Sequence, residues 1–83
     1  GGSTGAVSSG SATEVKAELA ARVFKLEVKV GATVNEGDLL LVLEALKMEI
    51  EVRAPVGGVV QDLPVAVGGQ VALGDTIAAI AAG

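Results

Sequence analysis

Residues 28–45, VKVGATVNEGDLLLVLEA, align without a gap with residues 65–82, VAVGGQVALGDTIAAIAA, at an offset of 37 residues (28 to 65). The shared positions are turn glycines and apolar residues, which chance does not explain. The identical pairs include Val28/Val65, Val30/Val67, Gly31/Gly68, Val34/Val71, Gly37/Gly74 and Asp38/Asp75. Each copy is too short to bury a core by itself. The repeat therefore predicts two halves packed into one barrel or sandwich with approximate two-fold symmetry.

Both copies also show the alternation of apolar and polar residues that is typical of β-strands. Residues 25–30, KLEVKV, place Leu26, Val28 and Val30 on one face, and residues 62–67, DLPVAV, repeat the scheme. Glycines separate these runs at intervals and predict tight turns. The fold class that follows is all-β.

Composition limits both the core and the chemistry. Of the 83 residues 51% are hydrophobic, and Phe24 is the one aromatic residue, so we expect an aliphatic core. The chain has neither Cys nor His, which excludes disulfides, thiolate zinc sites and imidazole catalysis. A formal net charge of −4 argues against nucleic acid as a partner, and no apolar run is long enough for membrane insertion. We expect a cytoplasmic location.

The first 13 residues differ in character from the rest of the chain. Residues 1–13, GGSTGAVSSGSAT, are nearly all Gly, Ser, Thr and Ala. Such a segment cannot bury enough apolar surface to offset the entropy lost on ordering. We predict a flexible linker, or the remnant of a tag, over residues 1–13 and one folded domain over residues 14–83.

The junction between the two halves carries the stretch EALKME, Glu44 to Glu49. All of its residues are good helix formers, and propensity alone would permit a helix from Asp38 to about Val52. The apolar residues of such a helix would cover every side and leave no solvent-facing stripe. The pattern therefore favours two strands joined by a tight hairpin turn.

Lys47 is the candidate functional residue at this turn. Two-residue hairpin turns need positive φ and favour Asn-Gly or Asp-Gly, whereas Leu46 and Lys47 would each cost about 1 to 2 kcal/mol there. Such strain is tolerated more often at functional sites. A catalytic lysine needs burial or positively charged neighbours, whereas the neighbours of Lys47 are Glu44, Glu49 and Glu51, so Lys47 fits modification by another protein better than catalysis. The alternative is a solvated turn lysine without a role.

The motif resembles the biotin-attachment sequence Glu-Ala-Met-Lys-Met of biotin carboxyl carrier domains. The resemblance covers residues 14–82 and includes the two Gly-Asp turns and the APVGG segment at residues 54–58. In that family the fold is a flattened barrel of two four-stranded antiparallel sheets. A biotinyl-lysine on an exposed hairpin turn carries carboxylate between two active sites. The resemblance implies the same fold and the same role for this chain.

The resemblance also implies the cofactor site. Lys47 would form the amide to biotin. Its neighbours would form an apolar frame and an acidic surface read by the attaching ligase. These neighbours are Glu44, Ala45, Leu46, Met48 and Glu49.

Partners and subtype follow from the same resemblance. A biotin protein ligase would attach the cofactor, and a biotin carboxylase and a carboxyltransferase or decarboxylase subunit would use it. The carrier itself would be non-catalytic. Residues 21–31, ARVFKLEVKVG, leave no room for the protruding thumb of some bacterial carriers, so the chain is similar to the thumbless type.

Two other functions use the same fold. Lipoyl domains share the symmetry and the hairpin lysine, but typically have Asp before and Ala after the lysine, where this chain has Leu46 and Met48. An unmodified β-barrel adaptor is the second alternative, although such adaptors usually carry a long helical insertion between the halves. An independent enzyme is disfavoured, since no acid, base, nucleophile or metal constellation is visible.

Overall fold

The computed structural model describes residues 12–82, all of them in strands, turns or loops. None of these residues belongs to a helix long and apolar enough to cross a membrane. Eight strands follow one another along the chain. They are β1 (Ala12–Lys16), β2 (Ala21–Leu26), β3 (Thr33–Val34), β4 (Leu39–Ala45), β5 (Met48–Arg53), β6 (Gly58–Asp62), β7 (Gln70–Val71) and β8 (Thr76–Ala82).

The strands form two four-stranded sheets with the orders β1-β8-β6-β3 and β5-β4-β2-β7, and every pairing is antiparallel. Exchanging β1 with β5, β2 with β6, β3 with β7 and β4 with β8 converts one order into the other. Each sheet takes two strands from each half of the chain. The predicted all-β sandwich with pseudo-two-fold symmetry is confirmed.

Backbone hydrogen bonds between the halves repeat at the offset found in the sequence. The N–H of Ala17 donates to the carbonyl of Asp75 at 2.9 Å, and the N–H of Ala54 donates to the carbonyl of Asp38 at 2.8 Å. Both bonds join one half of the chain to the other, and they are equivalent by the repeat, since Ala17 corresponds to Ala54 and Asp38 to Asp75. The halves are therefore locked together by matching contacts.

The two Gly-Asp turns have the structure that their sequence predicts. The Asp38 carboxylate accepts a hydrogen bond from the backbone N–H of Asn35 at 2.9 Å. The Asp75 carboxylate accepts the equivalent bond from Ala72, also at 2.9 Å. In each turn the Asp N–H also donates to the carbonyl of that same earlier residue at 3.0 Å, so two hydrogen bonds close the turn.

The core lies between the two sheets and is aliphatic, as the composition predicts. Its fully buried side chains come from both halves. They are Val23, Leu40, Leu41, Leu43, Val60, Ile77 and Ile80. Phe24 lies outside this core, because β2 carries a register irregularity between Val23 and Lys25 and the Phe24 side chain faces solvent.

Two strands end earlier than the alternation predicts. β2 ends at Leu26 and β6 at Asp62, so the apolar residues beyond them lie in loops. Val30 and Val67 occupy corresponding tight turns and are each 61% exposed. The prediction that both valines lie on the buried face was wrong, because the glycine after each valine adopts a positive φ and reverses the chain. Only residues 27–32 connect β2 to β3, in keeping with the thumbless type.

The first described residue, Ala12, already belongs to strand β1. β1 starts at Ala12, two residues before the predicted start of the domain. The rest of the predicted linker, residues 1–11, lies outside the described residues, as does Gly83. The division into linker and carrier domain stays a prediction.

Gly58 should be the most sensitive glycine of the scaffold. A Cβ at this position would overlap the backbone carbonyl oxygen of Ala81, which lies on the neighbouring strand β8. Because backbone cannot move aside cheaply, we expect Gly58→Ala to lower the free energy of unfolding by about 2 kcal/mol or more. Urea denaturation followed by circular dichroism measures the change.

The neighbouring Gly57 provides the matched control. A Cβ there would meet its nearest atom, the Val34 carbonyl oxygen, at 3.5 Å, which is an ordinary contact. Gly57→Ala should therefore change the stability by no more than about 0.5 kcal/mol. Equal effects of the two substitutions would contradict the close approach of β6 and β8.

Candidate functional site

The EALKME stretch forms a hairpin, and the helical alternative is excluded. β4 and β5 pair in register through Glu44 with Glu49 and Ala45 with Met48, which leaves Leu46 and Lys47 as a two-residue turn. β4 is an inner strand, flanked by β5 on one side and β2 on the other. Lys47 is therefore carried at the end of a paired, well-anchored ribbon.

Both turn residues adopt the left-handed conformation that the sequence predicts. The φ angle is 52° at Leu46 and 65° at Lys47, and these are the only non-glycine residues with positive φ among residues 12–82. Two positive φ angles in succession are characteristic of a type I′ turn, whose twist matches that of the two strands it connects. The strand pairing on both sides maintains this conformation despite its cost.

The side chains around the lysine project into solvent. Leu46 is 91% exposed and Met48 is 56% exposed, so two large apolar side chains flank Lys47 without packing on the core. Lys47 is itself exposed and takes part in none of the ion pairs found within residues 12–82. The amine is thus accessible to another protein from several directions.

Acidic residues surround the base of the turn. Glu44 and Glu49 lie directly opposite each other on β4 and β5, a like-charge arrangement that is unfavourable by itself. Arg22 on β2 compensates in part, since its Nη2 donates to Glu44 Oε1 at 2.7 Å. Glu51 is paired with Arg53 at 2.6 Å. Glu44 and Glu49 therefore lie at the base of the turn together with Arg22, and their recognition by a ligase stays a prediction.

An open cleft of about 560 Å³ lies beside the turn. Its walls are formed by three segments, which lie at the ends of the neighbouring strands β4, β2 and β7 and in the residues next to them. They are residues 20–22, 44–47 and 70–71. The motif in the sequence predicts the wall formed by residues 44–47, but it does not predict Arg22 or Gln70. A comparison of the two repeats could have indicated Arg22, because Arg22 and Glu44 are charged whereas their counterparts in the other half, Val59 and Ala81, are apolar.

These features fit a cofactor that is joined to the protein through an amide. A primary amine on a fixed, exposed turn can attack an activated carboxylic acid and displace its leaving group without disturbing any packed side chain. Within residues 12–82 no group of three or more His, Cys, Asp or Glu side chains is placed to hold a metal ion. The geometry around Lys47 therefore suits covalent modification of its amine.

Comparison with known proteins identifies the family. The family model described as "Biotin-requiring enzyme" matches residues 6–80. The biotinylated protein TB7.3 homolog of Mycobacterium leprae is 44% identical over 69 residues, which cover 83% of this chain and 97% of that protein. The biotin carboxyl carrier protein of Streptococcus mutans is 37% identical over 76 residues, covering 92% of this chain and 58% of that protein.

Larger enzymes contain the same unit. The biotin-dependent acyl-coenzyme A carboxylase alpha3 subunit of Mycobacterium leprae is 44% identical over 80 residues, which cover 96% of this chain but only 13% of the subunit. A solved structure of a single-chain, multi-domain long-chain acyl-CoA carboxylase matches with a TM-score of 0.82 and 29% identity, over 88% of this chain and 7% of that chain. The chain therefore belongs to the biotin-requiring family, as a biotin carboxyl carrier domain of the kind found in biotin-dependent carboxylases, with covalently attached biotin as its cofactor.

Proposed function

We propose that biotin is attached to Lys47 and that the domain carries carboxylate between the active sites of a larger biotin-dependent enzyme. The observation that carries this proposal is the position of Lys47 on a strained, two-residue turn between two paired strands. When bound, biotin supplies a ring nitrogen that accepts and releases a carboxylate. The protein supplies the amide linkage, the rigid turn and the surface that partners contact.

The other lysines of the described region are less suited to attachment. Lys16 lies on β1 beside Glu14, with 3.7 Å between the charged atoms, and Lys25 lies on β2 beside Glu27 at 3.1 Å. Lys29 lies in the loop after β2 and lacks flanking strands. Lys47 combines exposure with a backbone that is fixed on both sides.

The residues beside the lysine have separate roles in this proposal. Leu46 and Met48 provide an apolar contact surface, because their exposed side chains gain by burial against a partner. Glu44 and Glu49 provide the acidic surface that the biotin protein ligase recognises. Ala45 ends β4 and allows close approach to the turn.

The domain acts as a carrier and has no activity of its own in this proposal. Activation of bicarbonate with ATP requires acid–base groups and phosphate-binding elements, whereas this chain contains no histidine or cysteine and shows no phosphate-binding motif. A biotin carboxylase would load the carboxylate, and a carboxyltransferase or decarboxylase would receive it. The carboxylases among its relatives support this division of labour. The proposal places this cycle in the cytoplasm.

Strain in the turn is explained by its function. A stability-optimised hairpin would have Asn-Gly at positions 46 and 47, but a lysine is needed at the second position for attachment. Leu46 gains no packing that would offset its positive φ, since it is 91% exposed. The turn therefore gives up stability in order to present an amine flanked by apolar side chains.

Biotinylation should occur on Lys47 and depend on its place in the turn. With a biotin protein ligase and ATP, peptide mapping by mass spectrometry should find biotin on Lys47 and not on Lys16, Lys25 or Lys29. In the exchange variant Leu46→Lys with Lys47→Leu, modification should be nearly abolished, because successive positions of the turn point in different directions. Efficient modification of residue 46 would mean that the turn is not rigid.

Leu46→Gly should stabilise the domain. Glycine adopts positive φ without steric cost and the Leu46 side chain contributes no burial, so the free energy of unfolding should rise by about 1 kcal/mol. The matched control is Met48→Gly, in which glycine enters β5 and should lower stability by about 1 kcal/mol. Urea denaturation measures both, and destabilisation by Leu46→Gly would refute the strain argument.

The carrier role is tested with the biotinylated domain, ATP, magnesium and labelled bicarbonate. Label should appear on the domain only when a biotin carboxylase is added, because the domain has no groups for activating bicarbonate. The Lys47→Ala variant should remain unlabelled under both conditions. Label acquired by the isolated domain would require an active site of its own and would overturn the carrier role.

A further inference from the structure

The open cleft beside the hairpin turn has a composition that suits a small polar ring. Its apolar walls come from Ala20, Ala21, Ala45 and Val71. Arg22, Glu44 and Gln70 supply its polar side chains, and Leu46 and Lys47 line its outer end. Small apolar walls combined with convergent polar groups can orient a small molecule. Because Lys47 itself lines the cleft, anything attached to its amine starts at the rim.

The internal repeat provides a comparison for this cleft within the same molecule. At the repeat offset Arg22 corresponds to Val59, Glu44 to Ala81 and Glu49 to Ala12, so the matching surface of the other half has none of these charges. Both halves nevertheless form the same strands and the same pairings. The scaffold therefore does not require the Arg22–Glu44 pair, and the pair needs another explanation.

The pair presents a donor and an acceptor side by side. Arg22 Nη2 donates to Glu44 Oε1 at 2.7 Å, which leaves further N–H groups of the guanidinium and the second carboxylate oxygen free of that bond. Gln70 lies opposite Arg22 on β7 and adds an amide with both a donor and an acceptor. A ureido group has the complementary pattern, since its carbonyl accepts and its two N–H groups donate.

We propose that this cleft is a docking site for the ureido ring of the biotin attached to Lys47, which rests against the carrier when it is not in a partner's active site. The ureido carbonyl accepts from Arg22, a ureido N–H donates to Glu44, and the apolar part of the bicyclic ring lies against the alanines. This inference depends on the proposed attachment to Lys47.

Docking of this kind is weak and reversible. The Arg22 and Glu44 side chains retain 55% and 35% of their exposure, so water competes for every hydrogen bond of the cleft. The docked and free arms are then populated together, which a carrier requires because the ring must leave for its partners. Docking shields the ring without holding it permanently.

The test compares the unmodified and the biotinylated domain by two-dimensional NMR, after intact-mass and peptide analysis have established the state of Lys47. Biotinylation should shift the backbone amides of residues 20–22 and 70–71 and the side-chain Nε–H of Arg22, in addition to the turn itself. In Arg22→Gln the shifts at residues 20–21 and 70–71 should be lost. Gln70→Ala, a second variant, should reduce them.

Arg53→Gln is the matched control. Arg53 is paired with Glu51 at 2.6 Å and its side chain is 51% exposed, much like Arg22, but it does not line the cleft. The docking shifts should persist in this variant. A second measurement is the rate at which avidin captures the biotin, recorded by stopped-flow. Capture should become about two- to threefold faster in Arg22→Gln, because a hydrogen bond that holds the ring is lost. The capture rate should stay unchanged in Arg53→Gln.

The outcomes separate the two proposals. If Lys47 carries no biotin after treatment with ligase, both the proposed function and the docking site are overturned. If Lys47 carries biotin but the shifts stop at residues 45–48, the docking site alone is wrong. Shifts that persist in Arg22→Gln would likewise refute recognition by this pair.

Discussion

The exchange of strands between the two halves is the constraint on which the structure depends. β1 pairs with β8 and β2 pairs with β7, so each half supplies the two edge strands of one sheet and the two central strands of the other. The bonds from Ala17 to Asp75 and from Ala54 to Asp38 fix this exchange at two equivalent places. A half cannot fold without its counterpart, and the hairpin at residues 45–48 inherits its rigidity from the whole sandwich.

This arrangement explains why the lysine is located where it is. The pairing of β4 with β5 corresponds by symmetry to the pairing of β8 with β1, where Ala81 faces Ala12 and no turn joins the two strands. The Leu46–Lys47 turn is thus the place where the repeat has no internal counterpart. Its residues can serve a function without altering any contact that the two halves share.

The repeat and its glycines predicted the all-β fold, its symmetry and the turns at Asp38 and Asp75, and the pattern around EALKME predicted the hairpin with its positive φ angles. The ends of β2 and β6 were not predictable, since the alternation continues into turns where Val30 is exposed. The Arg22–Glu44 pair was also missed, because it depends on the register of β2 against β4 beyond an irregularity at Phe24. Arg22 and Glu44 are 22 positions apart, and their contact can be inferred only once that register is known.

Three departures from a stable hairpin occur together at the turn. Leu46 and Lys47 have unfavourable φ angles, Leu46 and Met48 expose apolar surface, and Glu44 faces Glu49 across the strands. The other half avoids the charge conflict entirely, with Ala81 opposite Ala12. Since the same scaffold folds without these costs, they belong to the turn and not to the sandwich. Local rules broken in one place, on a frame that obeys them elsewhere, mark this turn as the candidate functional site.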